Sequence, residues 1–169
     1  DEASMVDTEL FRALITAMDE PLGLAIGNAS ETVEALSVLR GNGPPDVTHL
    51  TRLLASAMLV LTGVAREHHE ADARLERALS SGEALRRAEA MIQAQGGDPR
   101  VVEDPSLLPR APVETRVNVD REGYVAAIDS RALGLLLVAM GGGRERKEDS
   151  VDHLVGIRLV RKTGAKVAA

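Results

Sequence analysis

Residues 123–156 read GYVAAIDSRALGLLLVAMGGGRERKEDSVDHLVG, and this stretch gives the clearest indication of the fold class. The short apolar segment 124–128 is typical of a strand, and Asp129 or Ser130 can cap the apolar helix that follows. Three successive glycines at positions 141–143 end that helix. A strand followed at once by a helix indicates a mixed α and β fold.

Further strand patterns lie on both sides of this stretch. Apolar and polar residues alternate over 113–119, which predicts a strand before it, and residues 155–160 predict a strand after it. Thr163 and Gly164 predict a turn near the end of the chain. We therefore expect residues 108–169 to form a strand-rich C-terminal module that is truncated at Ala169.

The segments before residue 100 are mostly helical in pattern. Residues 13–18 (ALITAM) are the exception, because a short apolar run closed by a proline predicts a buried strand. Asn28 or Ser30 is expected to cap a short helix ending at Gly41. Asp46 is expected to cap a longer amphipathic helix, and two more amphipathic stretches follow before residue 96.

Composition excludes several classes of function. The chain has 169 residues, 44% of them hydrophobic, and a net charge of −6, which does not attract a nucleic-acid backbone. It has no cysteine, so a disulfide framework and a thiolate metal site are excluded and a cytoplasmic location is expected. The longest apolar run, 132–140, is shorter than the roughly 20 residues that cross a membrane. We expect neither nucleic acid nor membrane as a partner.

Two long runs resemble signatures of the pyrimidine nucleoside phosphorylases of the thymidine phosphorylase type. They are ALITAMDEPLGLAIGNASETVEAL at 13–36 and the 123–156 stretch, and GNGPPD, AQGGDPRVVEDP and LPRAP stand between them in the family's order. The resemblance implies that residues 1–107 are the remainder of the large α/β domain, mostly helical here. It also implies that the family's small helical domain is absent, so that the family's homodimer, which forms through that domain, is not expected.

The resemblance implies a transferase activity, the reversible phosphorolysis of pyrimidine nucleosides in nucleoside salvage. Phosphate is the co-substrate, thymidine or uridine the nucleoside, and the products are a free base and a pentose 1-phosphate. The family's phosphate loop and base-binding residues precede the matched region, and neither has a counterpart in this sequence. We therefore assign no catalytic residue, leave substrate-binding residues open, and expect the isolated chain to be inert. The alternative is a non-catalytic interaction or scaffold protein derived from the same fold.

A cation site is also implied by the resemblance. Family members bind a cation through two backbone carbonyls of the PLGxA segment and a carboxylate, which correspond here to Leu22, Ala25 and Glu34. Hard oxygen ligands suit potassium or calcium rather than zinc. The alternative is a helix-capping turn with Glu34 solvated on the helix surface, and both interpretations remain open.

Three other features have competing interpretations. The residues Gly141, Gly142, Gly143 and Arg144 form either a helix stop with a mobile loop or a closing loop at the mouth of the cleft. Adjacent His68 and His69 point about 100° apart on a helix, which favours a solvated helix end over a metal site. Lys162 lies in a turn similar to that of lipoyl carriers but lacks their flanking residues, so a carrier function is not supported.

Overall fold

The computed structural model describes residues 13–168. Within this range the chain forms five α-helices and two small antiparallel sheets of two strands each. The mixed α/β class expected from the sequence is therefore confirmed. No helix in the described range combines the length and the apolarity that a membrane crossing requires.

The first part of the described chain is helical. Its four helices are α1 (Asn28–Leu39), α2 (Pro45–Leu61), α3 (His68–Ser80) and α4 (Glu83–Ala94), followed by 3-10 turns at Pro99–Val102 and Pro105–Leu107. Helices α2 and α3 pack closely because small residues, Ser56 and Ala71, are buried on their facing sides.

The core is small and aliphatic. Leu36, Val101 and Val102 are buried together, with partly buried side chains of α4 and Leu108 packed around them. The 3-10 turn at Pro99–Val102 thus places two valines between α1 and α4. This agrees with a sequence that contains only one tyrosine, one phenylalanine and no tryptophan.

The four strands join distant parts of the chain. Strand β1 (Ala25–Ile26) pairs with β3 (Ile157–Arg158), and β2 (Gly123–Tyr124) pairs with β4 (Lys166–Val167). Helix α5 (Ser130–Ala139) lies between β2 and β3 in the sequence. The β1–β3 pair therefore connects the helical part to the segment expected to form a separate C-terminal module.

Two strand predictions are wrong. Residues 13–18 form no regular element, and Ile15 is fully exposed. Residues 113–119 are extended but unpaired, with Val117 92% exposed, and within the described chain residues 111–122 make no backbone–backbone hydrogen bond. Alternating residues define two faces, but a strand also requires a neighbouring backbone to pair with.

The start of α1 also differs from the prediction. Its cap is Gly27, without a side-chain cap, in place of Asn28 or Ser30. The Gly27 N–H donates to Oε1 of Glu31 at 2.9 Å, and the Ser30 hydroxyl donates to the Gly27 carbonyl. Glu31, in the first turn of α1, therefore supplies an acceptor for the Gly27 N–H, which has no partner within the helix.

Two further cap predictions have opposite outcomes. Helix α2 begins at Pro45, so Asp46 lies inside the first turn and does not cap the helix. The cap prediction for α5 is confirmed, because the Asp129 carboxylate accepts a hydrogen bond from the Ala132 N–H at 2.9 Å. The Asp46 side chain is directed elsewhere, toward the loop described next.

Candidate functional site

The loop before β1 is held by one glutamate of α1. Oε1 of Glu34 accepts hydrogen bonds from the N–H groups of Leu24, at 2.9 Å, and Ala25, at 3.0 Å. Glu34 is therefore not a merely solvated surface residue. The structure brings it to the same loop as Leu22 and Ala25, the two residues that the family resemblance groups with it.

At position 23 of this loop only glycine leaves Glu34 in its place. The Gly23 φ of +73° lies in the left-handed region, and a Cβ atom there would overlap Oε2 of Glu34. The missing side chain lets the carboxylate approach the backbone directly. The close contact between Glu34 and the loop thus depends on Gly23.

The direction of the Ala25 carbonyl follows from the strand pairing. The Leu159 N–H donates to the Leu24 carbonyl at 2.8 Å, so this carbonyl faces β3. Successive residues of a strand direct their backbone groups to opposite edges. The Ala25 carbonyl therefore faces the α1 side, where the Ala25 N–H already meets Glu34.

A lysine from the C-terminal turn reaches the same loop. Nζ of Lys162 donates to Oδ2 of Asp46 at 3.0 Å and to the Pro21 carbonyl, and it lies 3.5 Å from Oε1 of Glu20. Oδ2 of Asp46 also accepts the Gly23 N–H at 3.0 Å. The Lys162 side chain is only 20% exposed, so this contact is largely shielded from solvent.

The two carboxyl groups around Lys162 are stabilised in their charged form. Burial raises the pKa of Asp46, but hydrogen bonds from Lys162 and from the Val47 and Gly23 N–H groups outweigh it, so the pKa is lowered overall. The pKa of Glu20 is lowered chiefly by its hydrogen bonds with Thr163. Both carboxylates are therefore charged at neutral pH and can hold the ammonium.

A shallow cleft opens beside this loop. Leu22, Ala25 and Glu34 line it, and the start of α5 contributes Ser130 and Gly134. The Ser130 hydroxyl oxygen is buried and has no hydrogen-bond partner among the described residues. The cleft thus combines carboxylate and hydroxyl oxygens with apolar side chains of the loop.

The glycine-rich segment after α5 does not line this cleft. Gly142 is buried, and a Cβ atom there would come within 2.9 Å of Cδ1 of Leu137 and 3.0 Å of Cγ1 of Val155. A Cβ atom at Gly143 would come within 2.6 Å of Cγ2 of Val138, whereas Arg144 is exposed. Gly142 and Gly143 therefore allow close packing at the end of the helix, and the exposed part of the loop begins at Arg144.

The histidine pair is not arranged for a metal. Nδ1 of His68 lies 3.0 Å from the hydroxyl oxygen of Ser56, which is 2% exposed. The described residues contain no cluster of three or more histidine, aspartate or glutamate side chains that could hold a metal ion. His68 thus links α3 to α2, where the sequence predicts only a solvated helix end.

Asp46 and Lys162 are the site residues that sequence reasoning missed. Asp46 was interpreted only as a helix cap, and Lys162 only as an unsuitable carrier lysine. They are 116 positions apart, and neither stands in a motif that points to the other. No signal in a single sequence could have paired them.

These features define a mixed α/β chain whose candidate site is built from a backbone loop and the glutamate that holds it. Residues 124–169 match the family model described as pyrimidine nucleoside phosphorylase C-terminal domain. The resemblance to the C-terminal portion of this family, inferred above from the two signature runs, is thereby confirmed.

Similar proteins extend the match beyond that domain. The chain is 43% identical over 155 residues to proteins called pyrimidine-nucleoside phosphorylase from Staphylococcus aureus strains USA300 and NCTC 8325 / PS 47. The same identity is found with the protein of that name from the bovine strain RF122 / ET3-1. The aligned region covers 92% of this chain but spans only 36% of the length of these relatives.

Proposed function

We propose that this chain is part of an enzyme that catalyses the reversible phosphorolysis of pyrimidine nucleosides, with either thymidine alone or both thymidine and uridine as substrates. The observation that carries the proposal is the 43% identity to pyrimidine-nucleoside phosphorylases over 155 residues. Coincidence does not account for identity of this extent over nearly the whole chain. The match to a C-terminal domain model of the same family supports the same assignment.

In the proposed reaction, phosphate attacks the anomeric carbon of the nucleoside as the bond to the base breaks. A pentose 1-phosphate and a free base result, without a covalent enzyme intermediate. The transition state has oxocarbenium character, so catalysis depends on positioning the phosphate and stabilising charge on the departing base. We assign neither task to a residue of this chain, because the sequence contains no counterpart of the family's phosphate loop.

The proposed role of this chain's own loop is to hold a potassium or calcium ion. Leu22 and Ala25 would supply carbonyl oxygens and Glu34 its carboxylate, a donor set of hard oxygens that suits either ion. The Ala25 carbonyl faces the α1 side, where Glu34 already contacts the loop, which supports the proposal. When bound, the ion would neutralise the charge of the Glu34 carboxylate and hold the two loop carbonyls in place. Because calcium takes six to eight oxygens, further ligands are required from outside this set.

Phosphorolysis assays test the main proposal. The purified chain of 169 residues should release no thymine from thymidine and phosphate. The product of the open reading frame that contains this sequence should do so if a lysine- and serine-containing phosphate loop lies upstream. Phosphate-dependent release by the short chain, after rigorous removal of host enzyme, would contradict the expected inactivity.

The same assay separates the enzyme from a scaffold protein. If the complete product binds neither phosphate nor nucleoside and releases no base, the enzyme assignment is wrong and the scaffold alternative stands. Retained activity that depends on phosphate would exclude the scaffold alternative. The deciding measurement is chromatographic detection of free thymine with and without phosphate.

Location and association are further parts of the proposal. We place the protein in the cytoplasm, which the absence of cysteine supports. We also propose that this chain does not form the family's homodimer. The exposed apolar residues Leu53, Leu54 and Met58 of α2 instead favour nonspecific association. A concentration-independent dimer in light scattering would contradict this expectation.

A further inference from the structure

The peptide groups on both sides of Leu22 are held by partners from elsewhere in the chain. The Pro21 carbonyl accepts a hydrogen bond from Nζ of Lys162. The Gly23 N–H donates to Oδ2 of Asp46 at 3.0 Å, and the same oxygen accepts from Lys162 at 3.0 Å. One lysine therefore acts on the loop twice, once directly and once through Asp46.

These contacts fix the direction of the Leu22 carbonyl. The Leu22 carbonyl and the Gly23 N–H belong to one planar trans peptide, in which the two groups point in opposite directions. Since the N–H points at Asp46, the carbonyl points away from it. Rotation of this peptide would require the Gly23 hydrogen bond to break.

Lys162 in turn restrains Asp46. The Asp46 carboxylate accepts three donors in all, because Oδ1 also accepts the Val47 N–H at 2.9 Å. Among these only Lys162 comes from the C-terminal turn. Removing the lysine would leave Asp46 and the Pro21 carbonyl without their shared donor and would let the loop change its path.

We propose that Lys162, acting through Asp46 and Pro21, is a positioning residue that orients the Leu22 carbonyl for cation binding. The inference rests on the proposed cation site, to which it adds a residue from the C-terminal turn, far from Glu34 in the sequence. Lys162 does not itself contact the cation. It sets the geometry of a backbone ligand, as partners outside the ligand shell commonly do.

The test compares Ca²⁺ binding and amide exchange in four forms of the complete product of the open reading frame that contains this sequence, because the three proposed ligands of this chain need others to complete a Ca²⁺ shell. They are the unaltered chain, Lys162→Met, Glu34→Gln and the control Lys166→Met, which changes an exposed lysine of β4. Calorimetry with Ca²⁺ alone gives the affinity, and NMR gives the exchange rate of the Gly23 amide. Lys162→Met should lower the Ca²⁺ affinity about tenfold or more and speed Gly23 exchange, and Lys166→Met should change neither.

Each outcome decides between the inference and the site on which it rests. Unchanged Ca²⁺ affinity in Lys162→Met, with weakened binding in Glu34→Gln, overturns the positioning role alone. No binding by the unaltered chain, or equal binding by Glu34→Gln, overturns the cation site and with it this inference. If Lys162→Met does not fold, Asp46→Asn replaces it, and its affinity should fall in the same way because the uncharged amide holds the Lys162 ammonium less strongly than the carboxylate does.

Discussion

Lys162 and Asp46 are 116 residues apart in the sequence, yet the ammonium nitrogen and a carboxylate oxygen lie 3.0 Å from each other. Their contact joins the C-terminal turn to the first turn of α2 and, through Gly23, to the loop before β1. Together with the β1–β3 pairing, it ties the two ends of the described chain to each other. This contact crosses the boundary between residues 107 and 108, where the sequence analysis separates the two parts of the chain.

The contact should be measurable as a coupling free energy. In a double-mutant cycle with Asp46→Ala and Lys162→Met, we expect a coupling of about 0.5–1 kcal/mol in the free energy of unfolding. The value is modest because the Asp46 side chain is 39% exposed. Urea unfolding of the four forms gives it. Strictly additive effects of the two substitutions would show that the pair does not stabilise the fold.

A second prediction concerns the contribution of the small core to stability. Val102 is 1% exposed and packs between α1 and α4, so Val102→Ala should lower the free energy of unfolding by about 2 kcal/mol through lost burial and a residual cavity. Val117, 92% exposed, is the matched control, and Val117→Ala should change stability by less than about 0.5 kcal/mol. Equal losses in both variants would mean that the core does not lie at Val102.

The helices were predictable from the sequence because each carries its own signal. The Asp129 cap and the 141–143 glycines bracket α5, and apolar spacing located α1 to α4 within a few residues. The strands were predictable only in part. Strands β2 and β3 overlap the stretches 124–128 and 155–160 that were predicted as strands, but residues 113–119 alternate without a partner, and β1 is a two-residue strand inside a segment that reads as a loop. Pairing over more than 100 residues leaves no local pattern.

The candidate site was predictable only in part. The resemblance supplied Leu22, Ala25 and Glu34, and the structure brings Glu34 to the loop. Whether a cation binds there stays a prediction. Asp46 and Lys162 could not be found because their contact depends on how the C-terminal turn folds back onto the loop, which no spacing in the sequence encodes.

Two glycines around α5 should respond oppositely to alanine. Gly142→Ala would place a methyl group against Leu137 and Val155, so we expect a loss of about 1–3 kcal/mol in the free energy of unfolding. Gly134 lies within α5 and has no atom near the position of an added Cβ. Gly134→Ala should therefore stabilise the fold by about 0.5–1 kcal/mol. Thermal unfolding compares the two, and a stabilising Gly142→Ala would show that the glycine packing is loose.

Mobility after α5 should be confined to a short stretch. The Gly142 N–H is bonded to the Leu137 carbonyl at 2.9 Å, whereas residues 144–148 are exposed. Oδ2 of Asp149 accepts the N–H groups of Glu145 and Arg146. We expect slow hydrogen exchange at Gly142 and fast exchange at 147–148, with Asp149→Ala speeding exchange at Glu145 and Arg146. Uniform protection across 142–148 would exclude a role for this loop as a closing element.

The 3-10 turn that carries Val101 and Val102 should be sensitive to acid. The pKa of Asp98 is lowered, chiefly by hydrogen bonds from the Arg100 side chain and then from the Arg100 N–H. A lowered pKa means that the carboxylate stabilises the fold fully above the ordinary aspartate value of about 3.9, and that this stabilisation is lost as pH falls through the folded-state pKa. Asp98→Asn keeps a capping oxygen but cannot titrate. The unaltered chain should therefore be more stable than Asp98→Asn at pH 7, and the difference in urea midpoint should disappear as the pH is lowered through the folded-state pKa of Asp98. A difference that stays constant as the pH falls through that value would show that the charge of Asp98 does not support the turn.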